Sequence, residues 1–257
     1  VNAGNSITSG GNYNTVVGDE AGTAITTGDY STFVGYAAGD ATTTGLDNTA
    51  LGALALTSNT VGAYNVAIGQ SALHNNVDGS NSVAIGRLAL YAQDPASAAD
   101  MHNVAVGYTA GAAVTTGRLN TLIGGSAGSA TTTANNVTAV GASALSANTT
   151  GADITAVGAA TLATNTTGAS NTAVGYGALN ANTTAGNNTG IGAYALVANT
   201  TGTRMTSVGA RSGMQNTTGN YNAFFGYDSG ESNTTGASNT FIGDSAGRET
   251  TTASNNT

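Results

Sequence analysis

A 17-residue repeat runs through this chain and limits the folds that it can adopt. Each copy holds a short apolar stretch that ends in glycine, and we number the repeat from that glycine as position 1. The glycine recurs every 17 residues, apart from one interval of 21. Helical-hairpin repeats and propeller blades are about twice as long or longer, so both are excluded. The position-1 glycines are Gly18, Gly35, Gly52, Gly69, Gly86, Gly107, Gly124, Gly141, Gly158, Gly175, Gly192, Gly209, Gly226 and Gly243.

The last position of the repeat indicates a strand. Position 17 is Val or Ile in every copy except those with Leu51 and Phe225, and β-branched residues favour strands. A second glycine at position 11, as in Gly28 and Gly168, predicts another corner with positive φ. The sequence therefore predicts an all-β chain folded as a parallel β-solenoid, or β-roll, of about fourteen 17-residue coils. Each coil is expected to contain two turns and two short strands.

Stacked coils would bring residues 17 apart into contact at about 4.8 Å. Opposite charges follow that spacing in Arg211 with Asp228 and in Glu231 with Arg248. Asparagine fills position 8 in six successive copies, which predicts a ladder of side-chain amides. Aromatic residues are expected to stack by the same rule, Tyr13 on Tyr30 and Phe224 on Phe241. The predicted asparagine ladder is Asn148, Asn165, Asn182, Asn199, Asn216 and Asn233.

Residue size at position 5 varies inversely with size at position 16. A bulky residue at position 16 accompanies glycine at position 5, as in Phe33 with Gly39. A small residue at position 16 accompanies leucine, as in Ala50 with Leu56. Close packing penalises both voids and overfilling, so the two positions are predicted to share one pocket. Two copies depart from the rule, Ala105 with Gly111 and Ser207 with Gly213.

The chain is interpreted as a single repeat array over 1–257, with one four-residue insertion within 87–106. Loops on regular scaffolds often carry function, so the insertion is a candidate receptor or glycan contact, and a plain bulge on the flank is the alternative. Tyrosines at position 2 could stack on sugars or pack into a corner. The candidate contact residues are Tyr91, Asp94, Asp100, His102, Tyr36, Tyr108, Tyr176 and Tyr227.

Charge and composition exclude several functions. A net charge of -8 with five Arg and no Lys disfavours nucleic acid and anionic membranes as partners. No apolar run approaches 18 residues, so no membrane insertion by this segment is expected. The chain has no Cys, His74 and His102 lie in different settings, and the adjacent Asp19 and Glu20 are expected to diverge. We therefore expect no enzyme activity, no cofactor and no metal site.

Several copies resemble known repeats. Ser82–Gly86, Asn65–Gly69 and Asn171–Gly175 are similar to the head repeats of trimeric autotransporter adhesins. The longer form, Ser170–Leu179 followed by Asn182–Thr184, resembles repeats of phage tail fibres and of bacterial surface proteins with a C-terminal chaperone domain. The period here is longer than is usual in the adhesin heads. The resemblance implies a left-handed parallel β-roll wound as a homotrimer, either intertwined or side by side.

Residue pattern also favours partner chains, because positions 16 and 17 are both apolar while one coil has a single interior. We expect a structural or adhesive extracellular fibre segment, on a cell surface or a virion, with itself and a glycan or protein receptor as partners. Val1 is not an initiator methionine, so a longer fibre is expected. Thr-Thr pairs at positions 9 and 10 keep an ice-binding solenoid open as the alternative. Asn-Thr-Thr also matches the N-glycosylation pattern, although amide stacking already explains it.

Overall fold

A computed structural model describes residues 2–7 and 10–257 of the chain. The described residues are all-β, without any helix, and form a parallel β-solenoid of about 13 turns. They belong to two compact units, 1–133 and 134–257. No helix that could cross a membrane is found in the described part of the chain. The interpretation of 1–257 as one array stays a prediction.

The described residues of unit 1–133 contain nine short strands. Seven of them form one parallel sheet in the order β1-β2-β3-β4-β6-β8-β9, and the two-residue strands β5 and β7 pair separately. The strands are β1 (Thr15–Val17), β2 (Thr32–Val34), β3 (Thr49–Leu51), β4 (Val66–Ile68), β5 (Gly79–Ser80), β6 (Val83–Ile85), β7 (Ala99–Asp100), β8 (Val104–Val106) and β9 (Thr121–Ile123).

Unit 134–257 repeats the same arrangement with seven strands, paired in chain order. The strands are β10 (Val137–Val140), β11 (Ile154–Val157), β12 (Thr172–Val174), β13 (Thr189–Ile191), β14 (Thr206–Val208), β15 (Ala223–Phe225) and β16 (Thr240–Ile242).

Pairing within the sheets follows the repeat. Thr172 pairs with Thr189, and the same offset of 17 residues holds along each unit. Across the insertion the offset becomes 21, since Val83 pairs with Val104. The stacking of equivalent positions, which the period predicts, is therefore confirmed within each unit.

The prediction of two strands per coil is wrong. Over residues 10–257 each coil has one strand of three or four residues, at positions 14–17, and only β5 and β7 add a second strand. Positive φ values at positions 3 and 5, such as 60° at Leu54 and 55° at Leu56, interrupt extended structure along the rest of the coil. Coils still bond to each other there, as Gly22 N donates to Ala38 O at 2.9 Å.

The predicted role of the position-11 glycine is also wrong. Position 1 carries the strained backbone, with φ of 129° at Gly175, whereas Gly168 at position 11 has no positive φ. Space restricts position 11 instead, because a Cβ on Gly168 would clash with the carbonyl oxygen of Ala185 and would lie 2.5 Å from Asn165 Oδ1. Other coils accept the smallest side chain at this position, namely Ala134, Ala185 and Ala253.

The interior of each coil lies between the strand and the turn that carries positions 4 and 5. A Cβ on Gly230 would lie 2.7 Å from Cε1 of Phe224, so positions 5 and 16 share one pocket as predicted. The two exceptions have a common explanation. Where both positions are small, the bulky residue of the next coil fills the space: Leu122 approaches Gly111 and Phe224 approaches Gly213.

Candidate functional site

The asparagines at position 8 form a buried amide ladder. Asn165 Nδ2 donates to Asn148 Oδ1 at 2.9 Å and to the carbonyl of Gly168 at 3.0 Å. Asn182 repeats both bonds one coil further on. These side chains are fully buried, which leaves no room for an N-linked glycan on the folded coil. Further members in unit 1–133 are Asn59, Asn76 and Gln93.

A second amide ladder, at position 14, was missed by the sequence reasoning. Asn48 Nδ2 donates to the carbonyl of Gly62 at 2.8 Å, and its Oδ1 accepts the backbone N–H of Asn65 at 3.0 Å. Each such amide therefore bonds to the next coil through two groups. Its signal was the recurrent asparagine two residues before the apolar pair at positions 16 and 17.

Four charged residues of unit 134–257 form one network over three consecutive coils. Arg211 Nε lies 3.3 Å from Asp228 Oδ1, and Arg248 Nε lies 2.7 Å from Glu231 Oε2, as the 17-residue spacing predicts. Cross pairs join Arg211 to Glu231, and Arg248 to Asp228 at 3.7 Å. The hydrogen bond from Arg211 lowers the pKa of Glu231 below its usual value, against the opposing effect of burial.

The predicted aromatic stacks are present. Ring centroids of Tyr13 and Tyr30 lie 5.0 Å apart with an interplanar angle of 5°. Phe224 and Phe241 lie 5.6 Å apart at 8°. The first pair is exposed and the second is buried, so the rungs keep their spacing both outside and inside the coil.

The insertion holds three of its four candidate residues against the preceding coil. Tyr91 is half-buried and its ring stacks on His74 at 5.1 Å. Asp94 accepts the backbone N–H of Val77 at 3.4 Å. Asp100 accepts from Asn81 Nδ2 at 2.7 Å. His102 is exposed, and no contact among the described residues joins the four into one cluster.

Tyrosines at position 2 lie at the surface rather than in a packed corner, with 50–55% of each residue exposed. The guanidinium of Arg87 lies 5.6 Å from the ring centroid of Tyr108, and that of Arg211 lies 5.8 Å from Tyr227. A hydrogen bond with Glu20 raises the pKa of Tyr36. The remaining member, Tyr176, meets Tyr194 edge to face at 5.2 Å.

An exposed apolar row follows position 17, on the outer face of the strands. Seven members are exposed, from 37% at Ile85 to 72% at Ile242, and the other seven are half-buried, while the neighbouring position 16 is buried, as at Ala84 and Phe241. Alternate residues of a strand point to opposite faces, so one chain covers one face only. The row members that are most exposed are Val17, Leu51, Ile85, Ile123, Ile191, Phe225 and Ile242.

The two threonines of each Thr-Thr pair differ in their contacts. At position 9 the hydroxyl donates to the position-9 carbonyl of the next coil, as in Thr200 Oγ1 to Thr217 O at 3.0 Å. At position 10 the side chain is exposed, as at Thr201 and Thr218. Of the two files formed by these pairs, the position-10 file is therefore the one that faces solvent.

The described residues contain no group of three or more His, Asp or Glu side chains that could hold a metal ion, and their surface has no pocket. The distinctive features of the described residues are thus buried amide ladders, exposed rows, a charged network and an insertion on a parallel β-solenoid. No family model, curated protein or solved structure matches the chain.

Proposed function

We propose that this chain is a segment of a homotrimeric extracellular fibre, a structural and adhesive element of a bacterial surface adhesin or a phage tail fibre. The observation that carries the proposal is the exposed aliphatic row at position 17. A row that recurs on every coil would leave a long apolar strip in water, and monomeric soluble proteins rarely expose such strips. Packing against the identical rows of partner chains would bury this apolar strip.

The number of chains comes from the resemblance to autotransporter adhesin heads, carried by motifs such as Ser82–Gly86. Parallel chains in register also suit the repeat. Each row member, such as Ile191, then meets its own copies around a common threefold axis, and the rotation closes the ring so that no row is left unpaired. The acidic residues stay outside this contact at positions such as 3 and 6, as with Asp228 and Glu231.

Adhesion would operate through many weak contacts. Three identical flanks present equivalent surface groups, and simultaneous engagement raises avidity well above the affinity of one contact. The exposed tyrosines at position 2, for example Tyr108 and Tyr176, offer aromatic faces for sugars. The insertion adds Asp94, Asp100 and His102 as exposed polar groups for a glycan or protein receptor.

Ice binding is the weaker candidate. It would use the file of exposed threonines at position 10, such as Thr201 and Thr218. The position-9 hydroxyls are engaged between coils, so they are less available to order water. A thermal hysteresis assay tests this candidate, and a clear hysteresis would favour it over the fibre.

Sedimentation equilibrium tests the trimer. We expect a particle of three times 24.8 kDa for the native chain. The double variant Ile85→Glu with Ile123→Glu places two charges in the row, and it should sediment as one chain because burying unpaired carboxylates is costly. The matched control, Thr27→Glu with Thr44→Glu, adds the same charge at position 10 and should remain trimeric. A native chain that sediments at 24.8 kDa would overturn the proposal.

A further inference from the structure

Repeat position 13 brings two tyrosines and a carboxylate into one exposed row. Tyr30, Asp47 and Tyr64 occupy this position in three consecutive coils, with similar φ values of 58°, 53° and 59°. Their side chains therefore leave the coils at equivalent points. Backbone bonds fix the register, since Asp47 N donates to Asp29 O at 2.9 Å and Tyr64 N to Leu46 O at 3.1 Å. We call these three residues the tyrosine-aspartate row.

The spacing of the row leaves a gap between the two tyrosines. Two rungs of about 4.8 Å separate Tyr30 from Tyr64 by about 9.6 Å. The shorter Asp47 side chain occupies the rung between them. One face of Tyr30 is covered by the parallel ring of Tyr13, so its opposite face is turned towards the rung of Asp47. Tyr30 and Tyr64 are 58% and 56% exposed.

The charge of the row is uncompensated. Asp47 is exposed, and its carboxylate makes no hydrogen bond or ion pair with any described residue. Unit 1–133 carries eight acidic residues against two arginines, which strengthens the negative potential around it. Asp153 provides a contrast at the same repeat position, because it accepts from Asn136 Nδ2 at 3.0 Å and has no aromatic neighbour in the row.

We propose that the tyrosine-aspartate row binds an organic quaternary ammonium group of the choline type. A cation is attracted to an aromatic face within about 6 Å of the ring centroid. A cation midway between Tyr30 and Tyr64 would lie about 4.8 Å from each rung, with the Asp47 carboxylate at its base. A primary ammonium is compact and strongly hydrated, so it loses more hydration free energy than a quaternary ammonium when it enters the gap. A neutral sugar can donate hydroxyl hydrogen bonds to the carboxylate, but it carries no positive charge for the carboxylate and the two rings to attract.

This site requires only the stacking of 17-residue coils and no particular number of chains. It goes beyond the fibre function, to which it would add one ligand site per chain. Failure of the trimer would leave it intact, and failure of the site would leave the fibre proposal intact.

Calorimetric titration with choline chloride tests the proposal on the whole chain. We expect one saturable site per chain and weaker binding at higher ionic strength. Asp47→Asn and Tyr30→Leu should each weaken binding by about fivefold or more. The matched controls are the same changes at position 13 elsewhere, Asp153→Asn and Tyr221→Leu, and both should bind as the native chain does. Circular dichroism and the urea midpoint verify that each variant is folded.

The neutral carbon analogue of choline, in which carbon replaces the ammonium nitrogen, separates charge from shape. We expect it to show no saturable binding. Absence of choline binding to the native chain would overturn the proposal. So would equal binding by Asp47→Asn, or equal binding of the neutral analogue.

Discussion

Gly39 lies so close to Phe33 that a Cβ atom on the glycine would come 2.6 Å from Cε2 of the ring. Phe33 is at position 16 of one copy of the repeat, and Gly39 is at position 5 of the copy that follows. In the next coil the roles are exchanged, with Leu56 and Ala50 both fully buried. The pocket is therefore filled in both coils, by a large side chain from position 16 in one coil and from position 5 in the next.

Exchanging the pair should preserve stability where single changes do not. Gly39→Leu overfills the pocket and should cost about 3 kcal/mol, and Phe33→Ala leaves a cavity worth about 3–5 kcal/mol. The double variant reproduces the Ala50 and Leu56 arrangement, in which leucine already adopts φ of 55°. We expect it to unfold within about 1.5 kcal/mol of the native chain in urea. Additive losses in the double variant would show that the pocket is not shared.

Glycine at position 1 should be far less replaceable than glycine at position 11. Gly175→Ala places Cβ 2.6 Å from the carbonyl group of Gly192 at φ of 129°, so we expect a loss of about 3 kcal/mol or more. Gly168→Ala should cost less, about 1–2 kcal/mol: its Cβ would press on the Ala185 carbonyl oxygen, but its φ is not positive and Ala185 occupies the same position one coil on. Urea unfolding at one protein concentration measures both. Equal losses would contradict the separate roles of the two glycines.

The charged network predicts a pH dependence in the last coils. The pKa of Glu231 is lowered in the folded chain, so its stabilising effect is complete above the unfolded pKa of about 4.3 and is lost as the pH falls through the folded pKa. Hydrogen-exchange protection over 226–248, taken relative to the intrinsic exchange rate at each pH, should therefore fall in acid more than protection over 154–174. Glu231→Gln should remove most of that difference, and the exposed Asp244→Asn should not. An unchanged acid response in Glu231→Gln would contradict this role.

The 17-residue period made the parallel stacking predictable. A coil one residue longer or shorter would move every ladder residue out of line with its equivalent in the next coil. Pairs such as Arg211 with Asp228 followed directly from the spacing. The inverse sizes at positions 5 and 16 also predicted, from the sequence alone, that these two positions face the interior. Contacts that repeat identically in every coil leave this kind of signal in a single sequence.

Backbone conformation was less predictable. Leu54 and Leu56 adopt positive φ although leucine rarely does, because bonds between coils on both sides hold the turn. The residue type gives no signal of this positive φ, so the sequence led to a second strand that the structure does not have. The tyrosine-aspartate row was missed for another reason: Asp47 interrupts the tyrosines of position 13, and only the equivalent backbone of three coils shows that they form one surface.

Every ladder, row and pair described above requires that 17 residues advance the chain by one rung of about 4.8 Å. Pulsed electron paramagnetic resonance between spin labels measures that rise, and the absence of native cysteine gives a clean background. Labels on Thr150→Cys paired with Thr218→Cys, Thr235→Cys or Thr252→Cys span four, five and six rungs at position 10. With labelled chains diluted among unlabelled ones, the distances should rise by equal steps from about 19 Å to about 29 Å. Distances that do not increase by about 4.8 Å per 17 residues would contradict the account.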